Sequence, residues 1–187
     1  MKKHLIFSIA LVALMTSCVK EPSILRRLTT EEANAIPYHK GQTVSFLNEN
    51  GDTLSFVVTY DETKPFLEDY WEDPYDAKMS VTRQPWCYAR TVLLQCYISN
   101  STFKELLFTV IPEKYLYFRW NYELSLPYIH LKDETETVTM NGVTYENVHV
   151  NSYHHPNFDE LDHLWYYSEE VGLIAVKNKE HSLTLVP

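Results

Sequence analysis

Over most of this chain the hydrophobic positions recur at every second residue. Val44 and Phe46 alternate with polar neighbours, Asn50-Gly51 follows, and Leu54, Phe56, Val58 and Tyr60 resume the alternation. A period of two is the pattern of a half-buried strand. Asn-Gly between two such runs signals a hairpin, because both residues accept positive φ. The same device returns at Val138 and Met140, Asn141-Gly142, then Val143 and Tyr145. The apolar register then jumps to Val148 and Val150, which predicts a β-bulge at Glu146-Asn147. A third hairpin is expected where Leu164, Trp165, Tyr166 and Tyr167 lead into a turn over 168–172 and Leu173 to Val176 return. A last turn at 178–180 leads into a strand over 182–186.

Between the first two hairpins, residues 91–98, 106–111 and 115–126 are rich in β-branched and aromatic side chains, the composition of strands. Tyr115, Tyr117 and Arg119 share one face of their run, while Leu116, Phe118, Trp120 and Tyr122 share the other. Both a core between two layers and an exposed aromatic stripe fit that pattern. The expected fold is mainly β: an antiparallel sandwich, barrel or strongly curved sheet of about nine or ten strands with little helix. The helical signal is confined to residues 29–35, where a Thr29 hydroxyl, Glu31 and Glu32 precede the stop at Pro37.

The first 18 residues follow a different rule. Lys2 and Lys3 start the chain, residues 5–15 are apolar apart from Ser8, and Thr16-Ser17 lead to Cys18. Basic, apolar, small is the order of a secretory signal. The apolar run is too short for a membrane-spanning helix, which needs about 20 residues. With a cysteine at the cleavage point, the segment resembles a bacterial lipoprotein signal, although Met15 stands where that family most often has Leu. The resemblance implies a signal peptide over 1–17, lipidation of Cys18, a tether over 18–28 and a single β-rich domain over 29–187. Two acyl chains at Cys18 would hold the protein on a membrane, since one chain alone binds only reversibly.

Val143-Thr144-Tyr145-Glu146-Asn147-Val148, followed by Leu164-Trp165-Tyr166-Tyr167-Ser168 and Val171-Gly172-Leu173-Ile174, is similar to the C-terminal half of many Bacteroidetes lipoproteins. Lys20-Glu21 resembles the Lys-acidic export tag of surface lipoproteins in that group. The likeness covers about half the chain and its motifs are structural. It implies a β-rich fold and an outer-membrane lipoprotein of the cell envelope, facing either the periplasm or the surface. It implies no activity.

Charge narrows the partners. Loss of Lys2 and Lys3 from the 16 basic residues leaves 14 against 25 acidic ones. Such a balance opposes nucleic-acid binding, which rests on basic patches that release phosphate counterions. Cys87 and Cys96 remain after Cys18 is set aside. No Gly, Pro or Asn turns the chain between them, and one strand of that length spans about 30 Å, far beyond the ~7 Å reach of a disulfide. Two buried thiols are therefore expected, the alternative being a bridge across a hairpin bent near Arg90–Val92.

Two clusters hold candidate chemistry. His149, His154, His155, Asp159, Asp162 and His163 could ligate a metal. Their spacing matches no known metal motif, and solvated histidines of a loop over 151–163 are the plainer alternative. Residues 61–76 hold seven acids, among them Asp61, Glu62, Asp69 and Glu72, and four aromatics, Phe66, Tyr70, Trp71 and Tyr75. Paired carboxylates beside aromatic platforms suit sugar hydrolysis or calcium. The alternative is a long exposed loop, given Pro65 and Pro74. The binding candidates are thus Asp69, Tyr70, Trp71, Glu72, Tyr75, His154 and His155. No cofactor is expected, because the four glycines fall singly at predicted turns and build no phosphate cradle. The leading expectation is a lipid-anchored binding or assembly module for a glycan, a peptide or an envelope protein. The alternatives are a carbohydrate-active hydrolase using acids of the 61–76 loop, and a structural subunit of an envelope complex.

Overall fold

The computed structural model describes residues 25–66, 87–98, 103–120, 124–125, 129–153 and 163–187. One short helix, α1 (Thr30–Asn34), precedes twelve strands among the described residues: β1 (Thr43–Asn48), β2 (Thr53–Phe66), β3 (Cys87–Gln95), β4 (Glu105–Ile111), β5 (Tyr115–Trp120), β6 (Leu124–Ser125), β7 (Ile129–His130), β8 (Glu136–Met140), β9 (Val143–Tyr153), β10 (His163–Ser168), β11 (Gly172–Lys177) and β12 (Ser182–Leu185). All pairings between strands are antiparallel. The order across the sheet is β6-β5-β4-β3-β2-β1-β12-β11-β10-β9-β8, with β7 also pairing with β5. Two meanders thus run outward from a central seam, where β1 pairs with β12 through Phe46 opposite Leu185.

The sheet curls into a half-barrel. Its curvature is visible in contacts between strands far apart in the pairing order. Phe118 of β5 stacks on Trp165 of β10 at 5.1 Å, and Phe108 of β4 meets Tyr167 of β10 at 6.1 Å. A flat sheet would hold these rings several strand spacings apart, each about 4.8 Å. The concave face is filled by Phe46, Phe56, Val92, Leu94, Leu106, Phe108, Leu116, Phe118, Trp165 and Tyr167, all at most 1% exposed.

The hairpins lie where the alternating pattern puts them. Asn141 and Gly142 have φ of 50° and 79°, the positive pair that a two-residue hairpin requires. The bulge is at Asn147, φ 53°, where the β8–β9 register shifts between Glu136 and Val138. The strand count exceeds the expected nine or ten, because β6 and β7 are two-residue pieces too short to leave a periodic signature. Residues 61–66 continue β2 to Phe66, although the acidic run and Pro65 read as loop. They are held there by register with β3, Asp61 opposite Val92 and Phe66 opposite Cys87.

The two-sided bulk of β5 has a structural cause. Leu116, Phe118 and Trp120 enter the main core, whereas Tyr115 and Tyr117 lie half-buried with Phe66 against Cys87, Ala89 and Ile111, a small second cluster on the convex face. Cys87 and Cys96 are both buried, at opposite ends of β3, and are not bridged to one another. Described residues of the expected tether are also docked: Leu28 packs on the main core, and Tyr88 donates its N–H to the Arg26 carbonyl at 2.8 Å.

Candidate functional site

One end of the half-barrel is organised by a buried arginine. Arg90 shares the concave face of β3 with Val92 and Leu94. All five of its guanidinium donors are used. Nε and Nη2 reach the two oxygens of Asp61 at 2.8 and 3.0 Å. Nη1 donates to the carbonyls of Ala33 and Ile36 at 2.6 and 2.7 Å, and Nη2 to that of Tyr38 at 2.6 Å. Hydrogen bonding from Arg90 holds the Asp61 carboxyl below its usual range despite partial burial. Arg90 thereby fixes the segment that crosses the open end of the core. Tyr167 adds its hydroxyl, donated to the Ala35 carbonyl at 2.6 Å, and Leu173 N–H is donated to the Tyr38 hydroxyl at 2.6 Å.

α1 is pinned by the same kind of detail. Thr29 caps it: the Glu32 N–H is donated to Thr29 Oγ1 at 3.1 Å, and the Thr29 N–H to Glu32 Oε2 at 2.8 Å. Glu32 also accepts the Glu113 N–H at 2.6 Å. Burial pushes its carboxyl up, but these hydrogen bonds outweigh burial and leave it below the ordinary value. Glu113 and Lys114 hold positive φ, 72° and 62°, a costly state for residues with a Cβ. The cost is offset by contacts at that turn: Arg26 pairs with Glu113, and Lys114 Nζ lies 3.0 Å from Glu31 and 3.1 Å from Glu169.

Between this end piece and the β2–β3 ribbon lies an open groove of about 490 Å³. Arg27, Leu28, Thr29, Thr30 and Ala33 form one wall, Thr63 and Tyr88 the other. Thr63 pairs with Arg90, so Thr63 and Tyr88 extend the concave face past the packed core. Backbone pairing of Arg26 with Cys87 sets Arg27 above the Tyr88 ring, its guanidinium carbon 5.8 Å from the centroid. Arg27 has no carboxylate within ion-pair distance among the described residues. Among the described residues the groove therefore offers one cation, hydroxyl groups, and the apolar surfaces of Leu28, Ala33 and Tyr88.

The residues singled out in the sequence fare differently. Cys18, Asp69, Tyr70, Trp71, Glu72, Tyr75, His154, His155, Asp159 and Asp162 lie outside the described residues. His163, expected in the loop, sits on β10, and His149 lies on β9, each 4% exposed. His149 pairs with Tyr167 and His163 with Tyr153, so their backbones stand four residues, or about 13 Å, apart along the ladder and the fold does not bring the two side by side. Burial holds the His149 imidazole below its usual pKa, against the opposing pull of Glu169 and Asp133. Among the described residues, no group of three or more His, Cys, Asp or Glu side chains is placed to hold a metal. Asp61 is tied to Arg90 and Glu62 to Lys64, so these two acids of the 61–76 run are occupied by ion pairs.

Sequence reasoning did not single out Arg90 or Arg27. Arg90 carried a signal, a guanidinium inside the apolar run from Ala89 to Leu94, where an unpaired charge would be very costly. Arg27 carried none, because its place depends on the bridge between Arg26 and Cys87, which are far apart in sequence. No protein-family model, curated protein or solved structure matches this chain.

Proposed function

We propose that this protein is a lipid-anchored, extracytoplasmic binding module, attached through Cys18, whose ligand site is the groove between α1 and the β2–β3 ribbon. Residues 1–18 support the anchor, with a basic start, a short apolar run and small residues before a cysteine. The observation that carries the binding role is the Arg27–Tyr88 pair: a cation with no carboxylate partner among the described residues, mounted over an aromatic ring at the edge of an open groove. Its volume falls within the ~300–1,000 Å³ of small-ligand sites.

The anchor and the groove are neighbours in the chain. Seven residues separate Cys18 from the docked backbone at Arg26, a reach of about 30 Å at most for an extended chain. A lipidated Cys18 would hold the groove close to the bilayer surface. The hydrolase alternative is weakened for Asp61 and Glu62, whose ion pairs with Arg90 and Lys64 leave neither as a poised acid or base. Fractionation of cells expressing the full chain and its Cys18→Ala variant tests the anchor. The full chain is expected in the membrane pellet and the variant in the soluble fraction; a variant that still sediments without detergent would refute attachment through Cys18.

A further inference from the structure

We infer that the groove takes a saccharide bearing an anionic substituent, with Arg27 receiving the anion. The inference rests on the groove being the ligand site, and it follows from the chemistry of the walls. Arg27 presents a planar fork of donors suited to a carboxylate or phosphate. The cation–π contact with Tyr88, 5.8 Å from guanidinium carbon to ring centroid, favours a place for that fork beside the groove.

The rest of the lining is rich in hydroxyls: Thr29, Thr30, Thr63 and Tyr88. Each hydroxyl both donates and accepts, as sugar hydroxyls do. Thr29 Oγ1 already accepts the Glu32 N–H but keeps its own proton to donate. Leu28, Ala33 and the Tyr88 ring supply apolar surface for the C–H face of a sugar ring.

An extended peptide fits less well. β2 and β3 pair with each other along the wall from Val57 opposite Gln95 to Phe66 opposite Cys87, so the backbone groups between these two strands are already used. Among the described residues the groove is lined by four hydroxyl residues, one cation and two aliphatic side chains, Leu28 and Ala33, a mix that suits a hydroxyl-rich ligand better than an apolar side-chain anchor. A protein with 25 acidic against 16 basic residues repels anions in general, so an acidic ligand needs a local cation to bind at all, and Arg27 is that cation.

The test is calorimetric titration of the full chain carrying Cys18→Ala, so that ligand binding is read apart from membrane attachment. The probes are disaccharides of galacturonate, of mannuronate, and of glucuronate with N-acetylglucosamine. The controls are neutral galactobiose, inorganic phosphate and a Glu-rich hexapeptide. At least one acidic disaccharide is expected to bind, with every control at least tenfold weaker. Arg27→Gln, an exposed position, should weaken that binding tenfold or more, the scale of a lost charge-assisted hydrogen bond. Thr63→Val should weaken it by a smaller factor, and circular dichroism should show both variants folded. Three results would overturn the inference: no binding of any acidic disaccharide at millimolar concentration, control binding as tight as acid-sugar binding, or Arg27→Gln binding unchanged. Each leaves the fractionation result for Cys18 standing on its own.

Discussion

Removing Arg90 should unfasten one end of the half-barrel. In Arg90→Met the side chain keeps comparable length but loses five donors. The Ala33, Ile36 and Tyr38 carbonyls lose their charged partner, and the Asp61 carboxylate loses its counter-charge. An orphaned buried acceptor costs about 1–3 kcal/mol, and breaking a buried pair about 3–5 kcal/mol. Adding these terms overcounts, because water can reach Asp61, whose side chain is 18% exposed, from the side of the exposed His39. The expected loss is therefore about 4 kcal/mol, a large share of the ~5–15 kcal/mol that holds a domain together. At ~2–4 °C per kcal/mol for a chain of this size, the melting temperature should fall by about 8–16 °C. Urea unfolding with an unchanged slope measures the loss. Arg90→Lys should recover less than half of it, since an ammonium cannot reproduce the fork. A loss below about 1 kcal/mol in Arg90→Met would refute the claim that this guanidinium fixes residues 33–38.

The other expectations concern pH, backbone and thiols. Asp61 is held below its ordinary pKa when folded, so its contribution is present above the unfolded value near 3.8 and is lost as pH falls through the lower folded value. Acid titration of stability should therefore lose part of its slope below about pH 4 in Asp61→Asn. His149 is also depressed, by burial, so the unfolded chain binds a proton first and stability falls as pH drops from about 6.5. His149→Gln should flatten that part of the profile, and an unchanged profile would assign the pH dependence elsewhere. At Gly172, φ is +87° and a Cβ would lie 2.2 Å from the Tyr38 hydroxyl, so Gly172→Ala should destabilise by at least ~2 kcal/mol in urea melts. Cys87 and Cys96 should resist alkylation in the native Cys18→Ala chain and both react after unfolding without reductant. Absence of reaction would reveal a disulfide.

Local features were legible and long-range ones were not. The Asn141-Gly142 turn, the Asn147 bulge and the Thr29 cap are set by residues within a few positions of one another, so alternation and capping chemistry expose them. The seam between β1 and β12 joins the two meanders at the middle of the sheet, and nothing local specifies Phe46 opposite Leu185. The candidate histidines mislead for a related reason. His163 ends a polar stretch and looks like a loop residue, yet pairing with Tyr153 carries it into a strand, four residues along the ladder from the partner of His149. The acidic run misleads at Asp61, whose role is set by Arg90, 29 residues away. The groove was invisible because its walls come from residues 27–33, 63 and 88, brought together by long-range links such as the bridge from Arg26 to Cys87 and the hydrogen bond from Arg90 to Ala33.

The central claim, a β-rich body held to a membrane beside its own groove, is tested most directly by the intact mass of the full chain. The chain would be expressed in a bacterial host and extracted from its envelope with detergent. The account predicts a mass lacking residues 1–17 and increased by a diacylglyceryl group on Cys18. A protein retaining Met1, or one that begins at Cys18 with no added lipid, would contradict it.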